Sequence, residues 1–267
     1  MQVNEIVTSK IIEKLEAGTI PWQKPWIGSP AINYVSRKPY TGINVLLLDK
    51  GGEFATFKQI QSLGGTLKKG SKASMVVFYK QNRVEDEEGK TKTIPILRYY
   101  NVFHLSDSEG IPSKLELIQN TDSPIEQAEQ IITNYKDCPE ITEDPGQAWY
   151  MPSTDKIGIP NRKQFKGIEE YYSTLYHEIC HSTGHINRLK RFTGEDAKAS
   201  FGSESYSKEE LIAEIGSAIL CCHAGIEKTI DNSASYIQSW LKVLKNDKNF
   251  IIQASSKAQK AVDYILQ

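Results

Sequence analysis

The chain has 267 residues, a formal net charge of −1 and 39% hydrophobic residues, a length that suits two domains of ordinary size with a core in each. It contains no apolar run of about 18 residues and no basic-then-apolar pattern at its start, which argues against a membrane partner and against secretion. Its four cysteines include no C-x-x-C pair, as is typical of a reduced compartment. We therefore expect a soluble, cytoplasmic protein.

The elements of the first half follow from apolar spacing, proline content and turn residues. The pattern predicts a helix at about 4–17, an extended arm at 21–26, a short buried helix or strand at 45–48, and strands at 75–84 and 93–105 joined by an acidic tip at 85–89. This half is expected to be α+β.

Residues 106–124 are rich in Ser, Asp, Gly and Pro, which is typical of a linker. We therefore predict one domain at 1–112 and a second at 124–267, which starts with a helix capped by Ser123. The second domain is expected to be mostly helical with a small sheet, so the fold class is α+β. Its predicted elements are helices at 124–135, 168–184, 207–224, 233–246 and 250–266, and a hairpin at 149–160.

Residues His177-Glu178-Ile179-Cys180-His181 form an H-E-x-x-H motif inside a predicted helix. Residues four apart share one helix face, so both imidazoles can reach one metal ion while Glu178 lies beside it. A catalytic zinc site uses three protein ligands plus water, and the glutamate is then free to act as general base. The motif therefore predicts a zinc hydrolase acting on a peptide bond, with Mn²⁺ or another divalent ion as an alternative. The competing interpretation is two ordinary helical histidines.

A third ligand must come from elsewhere in the chain. His185 and His223 are candidates, but Asn187 occupies the last position of the three-histidine metzincin pattern. Glu210 and Glu214 stand four apart on a predicted helix, where two like charges are unfavourable unless a cation compensates them. We assign Glu214 as the third ligand and Glu210 as a group that orients one histidine. The alternative is an acidic first turn that serves the helix dipole.

A tyrosine near the predicted start of the same helix, Tyr206, is a candidate oxyanion stabiliser, although a packing role is the simpler explanation for a tyrosine at such a position.

Basic residues dominate part of the first half. Between residues 20 and 84, ten Lys and Arg are opposed by two Asp and Glu, and aromatic residues are interleaved with them. Cations on phosphates and rings on bases are how single-stranded nucleic acid is held. We expect Phe54, Phe57 and Phe78 in the core, and a solvated basic face is the alternative. The candidate DNA-binding residues are Trp22, Lys24, Trp26, Tyr34, Arg37, Lys38, Tyr40, Lys68, Lys69 and Lys72.

Two groups of motifs resemble one known family. The run Pro21-Trp22-Gln23-Lys24-Pro25-Trp26, the run Tyr40-Thr41-Gly42-Ile43-Asn44 and the Gly64-Gly65 turn resemble the N-terminal domain of ArdC-type antirestriction proteins. The H-E-x-x-H motif, followed by Glu210-Leu211-Ile212-Ala213-Glu214, resembles the zincin-like metallopeptidase domain of that family. One departure is Thr41, which stands where the family usually has a basic residue.

The resemblance implies a single-stranded DNA-binding domain joined to a metallopeptidase-like domain. Such proteins are carried by conjugative plasmids and other mobile elements and are thought to protect incoming DNA from restriction. A protein substrate such as a component of the host restriction system fits that setting. Two alternatives stay open: a non-catalytic DNA-binding module with a structural or degenerate metal site, and a nuclease.

Overall fold

A computed structural model describes residues 2–22, 30–48, 50–85, 91–115, 123–192, 204–226 and 234–267 of the chain. The fold is α+β, as the sequence predicts. All four cysteines are free thiols. Within the described ranges, no helix combines the length and the apolar character needed to cross a membrane.

The described residues of the first half form two small sheets and three α-helices. One sheet has the strand order β1-β2-β5-β4, in which β1 and β2 are parallel and the other pairs are antiparallel, and the other sheet pairs β3 with β6. The elements are α1 (Val3–Glu16), β1 (Ala31–Asn33), α2 (Ile43–Leu47), β2 (Gly52–Thr56), α3 (Phe57–Ser62), β3 (Thr66–Leu67), β4 (Ser74–Glu85), β5 (Thr91–His104) and β6 (Ser108–Glu109).

Strands β4 and β5 form the long hairpin that the sequence predicts, and the expected acidic tip falls mostly on residues 86–90, outside the described residues. Side chains alternate between the two faces of the hairpin. On one face Met75 and Val77 enter the main core, whereas on the other face Val76 and Val102 pack with Phe54 in a second cluster. Both faces are therefore buried at the base of the hairpin.

The structure describes residues 106–115 and 123–124 of the expected linker. Its first residues form a 3-10 turn and then β6, which pairs with β3. Further on, Ser113 Oγ and the Lys114 N–H donate hydrogen bonds to the buried carboxylate of Glu53, at 2.8 and 3.0 Å. The described part of this segment is thus bound to the first half, because a buried carboxylate requires hydrogen-bond donors.

The second half is mostly helical with one three-stranded sheet. Ser123 caps its first helix: its Oγ accepts a hydrogen bond from the Glu126 N–H and its own N–H donates to the Glu126 carboxylate, which confirms the predicted cap. The elements are α4 (Pro124–Asn134), β7 (Glu140–Glu143), β8 (Trp149–Met151), β9 (Lys156–Ile159), α5 (Ile168–Ser182), α6 (Glu204–Ala224), α7 (Ala234–Asn246) and α8 (Phe250–Ile265).

The sheet of this half has the order β7-β9-β8. Strands β8 and β9 form the predicted hairpin, and β7, which the sequence analysis missed, joins β9 in parallel. Strand β8 is consequently an edge strand, and it lies against α5. This contact brings the sheet edge to the helix that carries the H-E-x-x-H motif.

The largest core cluster contains side chains from both halves, and two smaller clusters lie within the first half. Trp22 packs edge-on against Trp240 of α7, with 5.1 Å between ring centroids. Thr8 of α1 donates a hydrogen bond to the Lys248 carbonyl at 2.6 Å. The predicted boundary between 112 and 124 therefore separates two segments of sequence that share one hydrophobic interior.

Candidate functional site

Helix α5 brings the two motif histidines together. It begins at the predicted residue and ends two residues before the predicted end, and its buried residues fix its rotation against the core. His177 and His181 lie one turn apart, and their Nε2 atoms are 3.0 Å from each other. Their side chains are only 16% and 11% exposed, so the pair is largely buried.

Helix α6 adds a carboxylate to this pair. One oxygen of Glu210 lies 3.4 Å from Nε2 of His177 and the other lies 3.3 Å from Nε2 of His181. Two atoms held about 2.0–2.1 Å from a tetrahedral ion are about 3.3 Å apart, so separations of 3.0 to 3.4 Å fit a shared metal ion. Within the described part of the chain, these three residues form a group that can hold a metal.

The carboxylate that meets both Nε2 atoms is that of Glu210, not the expected Glu214. Glu214 Oε1 lies 3.3 Å from Nδ1 of His177, on the far side of the imidazole ring. Residues four apart on a helix are displaced by about 6 Å along its axis, so only one of the two carboxylates can be level with the paired nitrogens. Glu210 therefore lies where the sequence analysis placed the third ligand, and Glu214 lies where it placed the orienting carboxylate.

A second carboxylate plays the matching part for His181. Glu209 Oε1 lies 3.4 Å from Nδ1 of His181 and accepts a hydrogen bond from Arg191 Nη2 at 2.7 Å. Arg191 also donates to Thr183 Oγ1 and to the Cys180 carbonyl, which anchors it to the end of α5. The sequence analysis missed both Glu209 and Arg191. Arg191 lies 18 residues before Glu209, a separation that has no helical or strand periodicity and so could not be recognised in the sequence. The adjacent acidic residues Glu209 and Glu210 could have been recognised.

The carboxylates determine the electrostatics of the histidine pair. Burial lowers the pKa of His177, but its contacts with Glu210 and Glu214 outweigh burial and raise the pKa to about 9. The pKa of His181 is raised as well, because Glu210 and Glu209 oppose the effect of burial. The same contacts hold the pKa of Glu210 well below its usual range in spite of burial. The cluster is thus a strongly cation-favouring site.

Glu178 lies next to the pair and is almost fully buried. Burial raises the pKa of its carboxyl group, while the two histidines and a backbone hydrogen bond with Tyr150 of β8 act in the opposite direction. Tyr150 is held in turn by a hydrogen bond from its hydroxyl group to Asp155, and Asp155 binds Arg188 with both oxygens. The edge strand is therefore fixed directly beside Glu178.

The site opens into a cleft of about 620 Å³. Helix α6 begins at Glu204, three residues before the predicted start, so Tyr206 lies in its first turn and lines the cleft. His185 accepts a hydrogen bond from the Asn187 N–H beyond the end of α5, and His223 lines a separate pocket beside α4. Neither alternative histidine belongs to the metal-holding group among the described residues.

Three expected stacking residues of the first half are buried. Trp22, Tyr34 and Tyr40 are 2%, 2% and 6% exposed. The Tyr34 hydroxyl group donates to the Pro112 carbonyl, and burial raises the pKa of Tyr40. The structure thus contradicts the prediction that these rings stack on bases, because a large aromatic ring in this chain gains more from the core than from solvent.

The basic residues expected to bind DNA differ in their surroundings: some are bound within the fold and others are exposed. Arg37 forms an ion pair with Glu53 and donates to the Lys114 carbonyl, which makes it part of the fold. Lys68 donates to the Ser106 carbonyl at 2.8 Å. Lys38, Lys69 and Lys72 are exposed. Lys24 and Trp26 lie outside the described residues.

Exposed aromatic rings are found instead on the β4–β5 hairpin. Phe78 and Tyr100 are both 45% exposed, with 6.0 Å between their ring centroids, and Arg98 is paired with Phe78 across the strands. Phe57, at 48%, is also exposed, so the core expectation holds for Phe54 alone. The period of two that places Val76 inside continues outward to Phe78 and Lys80, beyond the part of the sheet that other elements cover. This alternation along β4 is the pattern in the sequence that could have identified Phe78 as an exposed ring.

Two family models match the chain. Residues 1–103 match the N-terminal domain of the anti-restriction factor ArdC, and residues 126–257 match a zincin-like metallopeptidase. Among curated proteins, the chain is 35% identical over 98% of its length to a DNA primase TraC of Escherichia coli, and 32% identical over 98% of its length to protein y4eC of Sinorhizobium fredii. It covers 91% of y4eC, but only 20% and 27% of two TraC proteins.

Solved structures agree with these matches. The chain superposes on the metal-free crystal structure of the antirestriction protein ArdC from plasmid R388 with a TM-score of 0.82 and 35% identity, covering 99% of this chain and 97% of that one. The Mn(II)-bound structure of the same protein gives a TM-score of 0.79. With both halves matched in order over almost its whole length, the chain belongs to the ArdC family of antirestriction proteins.

Proposed function

We propose that the protein binds single-stranded DNA with its first half and hydrolyses a peptide bond at the centre formed by His177, His181 and Glu210. It would do so in the cytoplasm, on behalf of a mobile element. The convergence of two Nε2 atoms and one carboxylate beside the buried Glu178 carries this proposal. Three protein ligands facing an open cleft are typical of catalytic zinc, whereas structural zinc is usually closed by four.

The proposed ion is zinc, held by His177, His181 and Glu210, with manganese as the alternative that the Mn(II)-bound relative supports. Such an ion supplies Lewis-acid chemistry, which polarises a carbonyl group and acidifies water. Glu214 and Glu209 hold the two imidazole rings through Nδ1, so that each Nε2 faces Glu210.

The remaining chemistry belongs to the chain itself. Glu178 takes a proton from the attacking water at its carboxylate and returns it to the leaving amine, a role that its buried position beside the pair suits. Strand β8 offers a free edge at the cleft, to which an extended peptide adds as a further strand. Tyr206, at the cleft wall, is the proposed donor to the oxyanion.

Single-stranded DNA binding is assigned to the exposed hairpin face that carries Phe78, Tyr100, Arg98 and Lys80. Rings that are accessible and close together stack on bases, and the neighbouring cations contact phosphates. The match to proteins named DNA primase supports a DNA context for this half. The buried Tyr40 ring, 6.2 Å from Phe78, supports the exposed ring from beneath.

The peptidase proposal is tested with Glu178→Gln, and Glu169→Gln on the exposed side of α5 serves as the control. The zinc-loaded chain is incubated with a mixed peptide library, and cleavage is followed by mass spectrometry. We expect Glu178→Gln to slow cleavage by about 10² to 10⁴ while it retains the metal, since general-base catalysis contributes that much. Unchanged cleavage by the variant, or no cleavage by either chain, would refute the proposal.

The same two variants, expressed in cells challenged with restriction-sensitive DNA, separate the catalytic proposal from a non-catalytic DNA-binding module. Loss of protection with Glu178→Gln alone supports hydrolysis. Equal protection by both variants favours the DNA-binding module. Incubation with labelled single-stranded DNA and metal tests the nuclease alternative, for which cut strands are the positive result.

A further inference from the structure

The cleft lining contains a cationic patch that the proposed mechanism does not use. Lys208 and Lys257 line the cleft together with Phe250. The Lys208 ammonium group lies 5.2 Å from the centre of the Phe250 ring. Phe250 and Lys257 are seven residues apart on α8, two turns along one helix face. The three side chains therefore form one wall, which we name the lysine wall.

The carboxylates that line the cleft lie against the histidine pair or Arg191, not in the lysine wall. Glu209 is held by Arg191 and contacts His181, and Glu210 faces both Nε2 atoms. Glu178 is buried beside the same pair. These acids surround the histidines, whereas Lys257 is an exposed residue on another helix. A divalent ion at the histidines would offset the acids, so that a ligand entering the cleft meets a positive environment.

We infer that the lysine wall selects peptides that carry an Asp or Glu side chain close to the cleaved bond. This inference rests on the proposed peptidase function, whose substrate class it names. An ammonium group at a cleft wall attracts a carboxylate over several ångströms, and the Phe250 ring in the same wall provides an apolar surface for the methylene groups of the acidic side chain. Charge complementarity of this kind distinguishes substrates more than it adds affinity.

Cleavage specificity is the first test. The zinc-loaded full chain is given a peptide library, and cleaved products are sequenced by mass spectrometry. We expect about fivefold enrichment of Asp and Glu at one position near the cut, the factor that a partly exposed ion pair provides. Lys257→Glu should replace it with enrichment of Lys and Arg. The control is Lys260→Glu, on the same helix but not in the cleft lining, which should leave the preference unchanged. Cleavage without acidic enrichment overturns the inference and leaves the peptidase proposal standing.

Binding is the second test, and it does not depend on turnover. The Glu178→Gln chain is titrated with a fluorescent glutamate-containing peptide and with the same peptide in which glutamine replaces the glutamate. We expect about fivefold tighter binding of the glutamate peptide, lost in the added Lys257→Glu variant and kept in Lys260→Glu. Equal affinities for the glutamate and glutamine peptides overturn the inference. Preferred binding of the glutamate peptide without cleavage of any peptide refutes the hydrolysis and supports the acidic preference.

A nucleic-acid role for the lysine wall is decided in the same assay. If oligo(dT) displaces the glutamate peptide, and if Lys257→Glu weakens oligo(dT) binding while Lys260→Glu does not, the wall is a DNA contact and the inference fails. If oligo(dT) binding is unaffected by Lys257→Glu, the acidic-peptide assignment is supported.

Discussion

The Nδ1 atom of His177 lies 3.3 Å from Oε1 of Glu214, on the side of the ring opposite to the Nε2 atom that meets Glu210. Each imidazole therefore contacts a carboxylate at both of its nitrogen atoms, since His181 lies in the same way between Glu210 and Glu209. An outer carboxylate of this kind fixes the ring orientation and the tautomer, and increases the basicity of the ligating nitrogen. We therefore expect Glu210 and Glu214 to contribute differently to metal binding.

We predict that Glu210→Gln lowers zinc affinity by more than about 100-fold, whereas Glu214→Gln lowers it by about 10-fold to 100-fold, the range expected for a residue that acts through a ligand. Competition with a chromogenic chelator measures both values, with Glu169→Gln as the exposed control. A larger loss for Glu214→Gln than for Glu210→Gln would restore the order that the sequence suggested.

Arg191→Ala should destabilise the metal-free protein by about 3 kcal/mol, because it removes the arginine partner of Glu209, whose side chain is only 17% exposed. Chemical denaturation in the presence of a chelator measures the loss. The double variant Arg191→Ala/Glu209→Gln should recover part of it, since the unpaired charge is gone. A double variant as unstable as the sum of its single changes would show that the pair itself contributes little.

Gly216→Ala should loosen the contact between α6 and α5, because a Cβ atom there would lie 2.7 Å from Cys180 Sγ. We expect a loss of about 1–3 kcal/mol in stability, typical of overpacking, together with weaker zinc binding as Glu210 moves away. Thermal unfolding and chelator competition measure the two effects. Adding Cys180→Ala removes the clashing sulfur atom and should restore both, and a failure to do so would contradict the steric explanation.

Phe78→Ala and Tyr100→Ala should each weaken single-stranded DNA binding by about 1–3 kcal/mol, the usual contribution of one stacked base. The matched control is Tyr79→Ala, an exposed tyrosine on the other face of the same strand. Fluorescence anisotropy with oligo(dT) measures affinity, and circular dichroism monitors the fold. Arg98→Ala should reduce the slope of log affinity against log salt by about 0.7, one phosphate contact. Equal losses with Tyr79→Ala would argue against a defined binding face.

Glu53→Gln should reduce stability by about 2 kcal/mol at neutral pH. Burial raises the pKa of the Glu53 carboxyl group, but hydrogen bonds from Arg37, Ser113 and Lys114 outweigh burial and hold it below its ordinary value. A carboxyl group with a lowered folded-state pKa stabilises the fold above its unfolded pKa of about 4.3, and loses that contribution as the pH falls through the folded pKa.

The difference in unfolding free energy between wild type and Glu53→Gln should therefore be constant above about pH 5 and shrink below about pH 4. Urea unfolding at a series of pH values measures it. Glu13→Gln, an exposed change on α1, should show no such convergence. A difference that does not depend on pH would mean that the ionised carboxylate is not what stabilises the 113–114 segment.

Much of the fold was predictable because local signals report local structure. Ser123 and Pro124 marked the start of α4, and the helical spans of α5, α7 and α8 agree with the predicted spans to within about two residues. Strand β7 was missed because its partner is not the next strand, β8, but the one after it, β9, and only one of its four residues, Ile141, is apolar. Trp22 was misassigned for a related reason: its neighbour Trp240 is remote in sequence, and the prolines around it in the sequence suggested a surface ring.

The sequence by itself determined that two imidazoles and a glutamate occupy neighbouring positions, since the H-E-x-x-H spacing on a helix fixes that relation whatever surrounds it. It also determined that the first half is basic and aromatic. Only the tertiary structure placed Glu210, and not Glu214, against both Nε2 atoms, and made Phe78, and not Tyr40, the accessible ring. Both choices depend on how deeply one element sits against another, and that depth is set by packing between residues distant in the chain, such as Gly216 on Cys180.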